Sequence, residues 1–101
     1  MDLAKVIADN KQQILTIADK YGAHDVRVFG SVARGDFGDT SDVDILVKLD
    51  SSKLTGMRYF GVLEEFREKL EQLLGVPVDV VDELGLQNPL PDHVLKEAVS
   101  L

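Results

Sequence analysis

Two short apolar runs, joined by a polar segment that contains glycine, constrain the fold of this chain more than any other feature. The first run, residues 26–29, is rich in β-branched side chains and breaks at Gly30-Ser31. The second run begins on two aspartates, Asp42 and Asp44, after a polar segment that spans residues 35–41. Runs of this kind are typical of strands, and the glycine-bearing segment between them is typical of a connection.

Asp42 and Asp44 are expected to project from the same side of the second strand. Residues i and i+2 of a strand share a face, so Val43 and Ile45 would point the other way, into a core. Two neighbouring carboxylates repel each other and raise each other's pKa. A fold keeps such a pair mainly where a cation relieves the repulsion, and Mg²⁺ prefers one or two carboxylates together with substrate phosphate. We therefore interpret Asp42 and Asp44 as magnesium ligands.

Gly30 and Ser31 follow the first strand and are small enough to let an anion approach the backbone. A short helix or turn is predicted to start at Ser31, and its N-terminus would face a bound phosphate. Arg34 would contact that phosphate as well, or would pair with Asp36 or Asp39. A phosphate-binding corner beside magnesium carboxylates indicates a nucleotide site.

Hydrophobic periodicity along the whole chain predicts one small domain. Asp2 is expected to cap the first helix, Gly22 to end it, and His24 to lie in the following turn. The predicted elements are a helix over 3–21, a strand over 26–29, a strand over 42–49, a helix over 56–74, a strand over 76–82 and a short helix over 92–99. This order predicts an α/β (α+β) fold with a small mixed sheet and helices packed on one face.

The composition limits which binding partners and which cellular compartment are expected. Asp and Glu outnumber Lys and Arg by 18 to 11, which gives a net charge of −7. Nucleic-acid affinity depends largely on cationic side chains, so direct binding to nucleic acid is not expected, whereas a basic protein partner would suit this surface. The chain has no cysteine, no signal-peptide pattern and no apolar run near the ~20 residues that cross a bilayer. We expect a cytoplasmic protein.

The pattern Gly30-Ser31, ten residues, then Asp42-x-Asp44 resembles the signature of the DNA polymerase β-type nucleotidyltransferases. The fuller form, residues 30–35 and 41–47, is similar to the minimal branch of that superfamily, the MNT proteins, which are commonly antitoxins of HEPN/MNT toxin–antitoxin pairs. The resemblance implies the nucleotidyltransferase fold over residues 1–101. It also implies a third metal-binding carboxylate on a neighbouring strand, which we assign to Asp79 because of its Val-Asp-Val-Val context.

The resemblance further implies transfer of AMP from ATP. Asp42, Asp44 and Asp79 are then the catalytic and metal-binding residues for two Mg²⁺ ions, and the nucleotide-binding residues are Gly30, Ser31 and Arg34. The implied acceptor is a hydroxyl, expected to be a tyrosine, on a HEPN-family toxin that the modification silences.

Two alternatives to protein modification stay open at this point. One is a non-catalytic antitoxin that neutralises its toxin by binding alone. The presence of all three candidate carboxylates and of the Gly-Ser pair weighs against it. The other is adenylylation of a small molecule, and the lack of room for an acceptor-binding domain weighs against that.

Overall fold

One mixed sheet organises the part of the chain that the computed structural model describes, namely residues 2–35, 42–50, 56–85 and 90–101. Its elements are α1 (Leu3–Asp9), α2 (Lys11–Lys20), β1 (Ala23–Phe29), α3 (Gly30–Arg34), β2 (Val43–Leu49), α4 (Met57–Leu74), β3 (Val78–Asp82), α5 (Asp92–Glu97) and β4 (Val99–Ser100). Within these residues the sheet order is β3-β2-β1-β4. β1 is antiparallel to β2 and β4, whereas β2 and β3 are parallel. The predicted mixed α/β fold is confirmed.

The core lies between one face of this sheet and the helices. Val43, Ile45 and Val47 alternate along β2 and are at most 1 % exposed. Phe66 and Leu70, one turn apart on α4, are fully buried in the same cluster. Burying a side chain of this size stabilises a fold by about 1.5–3 kcal/mol, so this layer fixes which face of β2 turns inward. Asp44, between two of these residues, consequently lies on the other face.

The predicted first helix is instead two helices that meet at Asn10, so the prediction of one continuous helix was wrong. Asn10 has a ψ of 14°, and its side-chain amide donates to the Val6 carbonyl over 2.8 Å. Asparagine competes for backbone hydrogen bonds in this way, which explains the interruption. The ends were predicted correctly, since Asp2 accepts from the Lys5 N–H and Gly22 follows α2 with a φ of +73°.

The predicted start of the first strand and the predicted end of the last helix were both wrong. β1 begins at Ala23, so His24 belongs to a strand rather than to a turn. The last helix ends at Glu97, and Val99 enters the short strand β4, which pairs with β1. Val99 is 55 % exposed and Leu95 is 42 % exposed, so neither side chain lies in the core. A strand of two residues is too short to leave an alternating pattern in the sequence.

The long helix and the strand that follows it agree with the prediction. α4 begins after Gly56 and ends at Gly75, whose φ of +73° is the left-handed conformation that favours glycine. Pro77 stands just before β3, which is an edge strand of the sheet, as its missing N–H requires. Among the described residues, no helix combines the length and apolarity that crossing a membrane would take.

Candidate active site

Asp42 and Asp44 stand at the start of β2, on the side of the sheet that faces away from the helical layer. Asp44 is the second residue of the strand, and Asp42, predicted as its first residue, is exposed just before it. The Val43 N–H donates to the Pro77 carbonyl over 3.0 Å and ties this end of β2 to the chain entering β3. The backbone at this corner is therefore held in place by the sheet.

Asp79 lies directly opposite Asp44 in the parallel ladder between β2 and β3. Partial burial raises the pKa of the Asp44 carboxyl group, and the negative charges of Asp79 and Asp42 raise it further. Arg34 acts in the opposite direction on the pKa of Asp44, and Glu97 adds to the increase. The structure thus brings the three predicted carboxylates into electrostatic contact, with Asp44 at their centre.

Gly30 fits against Asp44 at the end of β1, and no other residue would fit there without rearrangement. A Cβ atom on Gly30 would lie inside van der Waals contact with Asp44 Oδ2 and 3.0 Å from its Cγ. Gly30 also has a φ of +73°, which side chains rarely adopt. Gly30 of the predicted glycine corner therefore packs against Asp44, one of the predicted carboxylates, although the two residues are far apart in the sequence.

Ser31 and Arg34 lie in α3, the short helix predicted to start at this corner. Ser31 is half-buried next to Gly30, and Arg34 is exposed on the last turn. Arg34 donates to both carboxylate oxygens of Glu97, over 3.1 and 3.2 Å. Asp36 and Asp39, the partners considered from the sequence, lie outside the described residues. Glu97 is a partner of Arg34 that the sequence did not suggest.

Glu97 is a site residue that sequence reasoning missed. It ends α5, and its Oε1 atom accepts the Gly30 N–H over 2.9 Å. That hydrogen bond, and the ion pair with Arg34, lower the pKa of Glu97 despite a smaller opposing effect of burial. A negative charge in the last turn of a helix opposes the helix dipole, and this was the available signal that Glu97 has a tertiary partner.

Asp82 is also buried, but its hydrogen bonds identify it as structural. It is 5 % exposed and accepts from the Leu49 N–H over 3.1 Å, the Tyr59 hydroxyl over 2.6 Å and the Leu84 N–H over 3.0 Å. Burial raises the pKa of the Tyr59 hydroxyl, and the bond to Asp82 raises it further. Asp82 ends β3, as the predicted strand over 76–82 implies, whereas its burial and its three donors were not predicted.

The chemistry of the three carboxylates fits a hard divalent cation. The raised pKa of Asp44 marks a concentration of negative charge that a cation would relieve, and carboxylate oxygens are the ligands that Mg²⁺ prefers. Across residues 2–35, 42–50, 56–85 and 90–101, no group of three or more acidic, histidine or cysteine side chains is already gathered to hold a metal. Like charges repel, so binding would require the aspartate side chains to turn toward one ion.

A glycine at the end of one strand packs against an aspartate of the next, and a second aspartate stands across the parallel ladder. The resemblance to the nucleotidyltransferases implies an arrangement of this kind. The chain belongs to the nucleotidyltransferase domain family, whose model matches residues 11–100. Protein adenylyltransferase MntA of Thermococcus cleftensis is 35 % identical over 102 residues, which cover 96 % of this chain and 98 % of that protein. The predicted enzyme class is confirmed.

Solved structures place the chain in the minimal branch of this class. A structure of a candidate minimal nucleotidyltransferase has 40 % identity and a TM-score of 0.81, covering 100 % of this chain and 97 % of the other. A toxin–antitoxin structure with AMP-PNP has a TM-score of 0.70 at 24 % identity, over 90 % of this chain and 71 % of the other. The second likeness shows the shared fold, and the first confirms the predicted resemblance.

Proposed function

We propose that this chain transfers AMP from ATP, with Mg²⁺, onto a tyrosine hydroxyl of a partner HEPN-family toxin and thereby acts as its antitoxin. The observation that carries the proposal is the position of Asp79 across the ladder from Asp44, with Gly30 packed against Asp44. The name of the Thermococcus relative, a protein adenylyltransferase, supports the reaction. The toxin–antitoxin structure with an ATP analogue supports a toxin as partner and a nucleotide as substrate.

In this proposal Asp42, Asp44 and Asp79 hold two Mg²⁺ ions, which would neutralise phosphate charge and lower the pKa of the acceptor hydroxyl. The Gly30 N–H and the Ser31 hydroxyl donate to the terminal phosphates of ATP. Asp79, which is exposed, takes the proton of the acceptor hydroxyl. The acceptor oxygen then bonds to the α-phosphorus, and pyrophosphate leaves with the electrons of the broken P–O bond.

A separate protein as acceptor agrees with the charge of the chain. The net charge of −7 favours association with a basic surface, because complementary charge raises the rate of encounter.

The test is transfer of label from ATP labelled at the α-phosphate to the protein encoded in the adjacent reading frame, with Mg²⁺ present. Asp42→Asn, Asp44→Asn and Asp79→Asn should each lower the rate by about two or more orders of magnitude, as expected for groups that stabilise transition-state charge. Asp19→Asn, the same change at an exposed position of α2, is the control and should leave the rate unchanged.

Near-normal transfer by the Asp44→Asn variant would contradict the site assignment. A toxin that is still neutralised by Asp44→Asn and by Asp79→Asn would instead favour an antitoxin that acts by binding alone. Mass spectrometry of the labelled toxin identifies the acceptor residue, and a label on any residue other than tyrosine would correct that part of the proposal.

A further inference from the structure

The donors that we assign to the phosphates of ATP are already engaged by a carboxylate of the same chain. Glu97 accepts the Gly30 N–H through Oε1 and pairs with Arg34 through both oxygens. The Glu97 side chain is 18 % exposed, so it is largely withdrawn from solvent. A carboxylate and a phosphate group present the same kind of negatively charged oxygen to N–H donors. The two anions cannot accept the same Gly30 hydrogen bond at once.

The fold holds Glu97 at this position from the far end of the sequence. α5 ends at Glu97, and the backbone becomes extended at Ala98, with a ψ of 133°. β4 then pairs with β1, and the Leu101 N–H donates to the Val26 carbonyl over 3.0 Å. These bonds keep the end of α5 beside the end of β1, where Gly30 lies. Glu97 reaches Gly30 because two separate segments of chain are paired in the sheet.

We propose that Glu97 is an internal competitor for the nucleotide, occupying the Gly30 N–H and Arg34 until the phosphates of ATP displace it. This inference deepens the proposed function and rests on it. Displacement would break the ion pair between Glu97 and Arg34, so that Arg34 could pair with the incoming phosphate instead. The apparent affinity for ATP is then the intrinsic affinity multiplied by the fraction of molecules in which Glu97 does not hold these donors.

A purely structural role for Glu97 predicts the opposite result. If its carboxylate served to hold Gly30 and α3 in the conformation that binds phosphate, then removing its charge would loosen the corner and weaken binding. The sign of the change in affinity therefore separates competition from support.

The experiment is calorimetric titration of ATP, and separately of inorganic triphosphate, into the wild-type chain and into Glu97→Gln, with Mg²⁺ and without acceptor. Glutamine keeps the size of the side chain and an oxygen acceptor but removes the charge. We expect Glu97→Gln to bind both ligands at least about threefold more tightly, a size compatible with a partly exposed charged pair. Inorganic triphosphate should show the effect because the competition concerns phosphate oxygens alone.

The matched control is Glu71→Gln, since Glu71 makes the same two kinds of contact elsewhere. It accepts the Val78 N–H over 2.9 Å and pairs with Arg67 over 2.6 Å. Its pKa is lowered by the same two causes as that of Glu97. Glu71→Gln removes one negative charge from the chain as well, so a general effect of net charge on ATP binding would appear in both variants. Affinity that rises in Glu97→Gln alone supports the competition.

Unchanged or weaker binding by Glu97→Gln, with a wild-type chain that binds ATP, overturns the competition and leaves the proposed function standing. A wild-type chain and a variant that both fail to bind ATP with Mg²⁺ would overturn both. Glu97→Asp is the second variant, since it keeps the charge but withdraws it by one methylene, and it should also bind more tightly. The amide resonance of Gly30 gives an independent readout and should shift in Glu97→Gln without any ligand.

Discussion

Replacing Asp44 by asparagine should stabilise the fold while it abolishes the proposed reaction. Asp44 faces Asp79 across the ladder, and its pKa is raised by burial and by the carboxylates around it. A raised pKa of an acid means that its ionised form is less favourable in the folded chain than in the unfolded chain. Asparagine keeps the shape of the side chain and removes the charge. The gain in stability comes from the cost of burying the charge and from the repulsion, both of which disappear.

The size of this gain follows from the geometry. Carboxylates on neighbouring strands are separated by about 5–6 Å, since the strands themselves lie about 4.8 Å apart. Coulomb's law then gives about 0.8 kcal/mol with the dielectric constant of water and about 3 kcal/mol with an effective value of about 20. Because Asp79 is exposed, the lower part of this range applies. We expect a gain of about 1 kcal/mol, which corresponds to about 4–8 °C in Tm for a domain of this size.

Thermal unfolding of the wild type and of Asp44→Asn, followed by circular dichroism without divalent cations, measures this gain. Below the ordinary pKa of 3.8 the carboxyl group is protonated in both the folded and the unfolded chain, so the difference in Tm should disappear near that pH. It should grow as the pH rises through the raised pKa, and it should shrink in high salt. A variant that is less stable than the wild type at neutral pH and low salt would refute the reasoning.

Three further predictions concern the neighbouring residues. Gly30→Ala should abolish transfer of the label. Gly35 has a similar φ of +79°, but a Cβ there would have nothing within 4 Å, so Gly35→Ala should keep transfer and lose about 1 kcal/mol of stability. Label transfer and urea unfolding measure the two effects. Tyr59→Phe should lower the free energy of unfolding by about 1–3 kcal/mol because buried Asp82 loses a donor. MgCl₂ should raise the Tm of the wild type, and an equal rise in Asp44→Asn would contradict the metal assignment.

The sequence was sufficient for the elements whose signals are local. The amphipathic pattern and flanking glycines gave α4 almost to the residue, and the alternation after Asp42 gave the face of β2 that turns inward. Asp44 could be placed on the outer face for the same reason. These predictions succeed because helix and strand periods are properties of a few consecutive residues.

The features that could not be predicted from local sequence depend on contacts between distant segments of the chain. Gly30 and Glu97 are 67 residues apart, and no local pattern states that α5 ends beside β1. β4 consists of two residues, which is too short for a period to be visible. The register that sets Asp79 opposite Asp44 is fixed only after α4 has crossed between β2 and β3. The local pattern therefore predicts the side of the strand on which Asp44 lies, whereas Asp79 as its neighbour followed only from the family resemblance.

Two aspartates on β3 show why the surroundings, and not the local sequence, determine the role of a carboxylate here. Asp79 and Asp82 both follow a valine within five residues of strand. Asp82 turns toward the helical side, where its carboxylate accepts three hydrogen bonds and joins β3 to β2 and α4. Asp79 lies on the opposite side of the sheet and faces the like charge of Asp44. A stabilising contact and a repulsion that Arg34 offsets only in part are thus three residues apart. A bound cation would replace this repulsion by attraction and so gain binding energy.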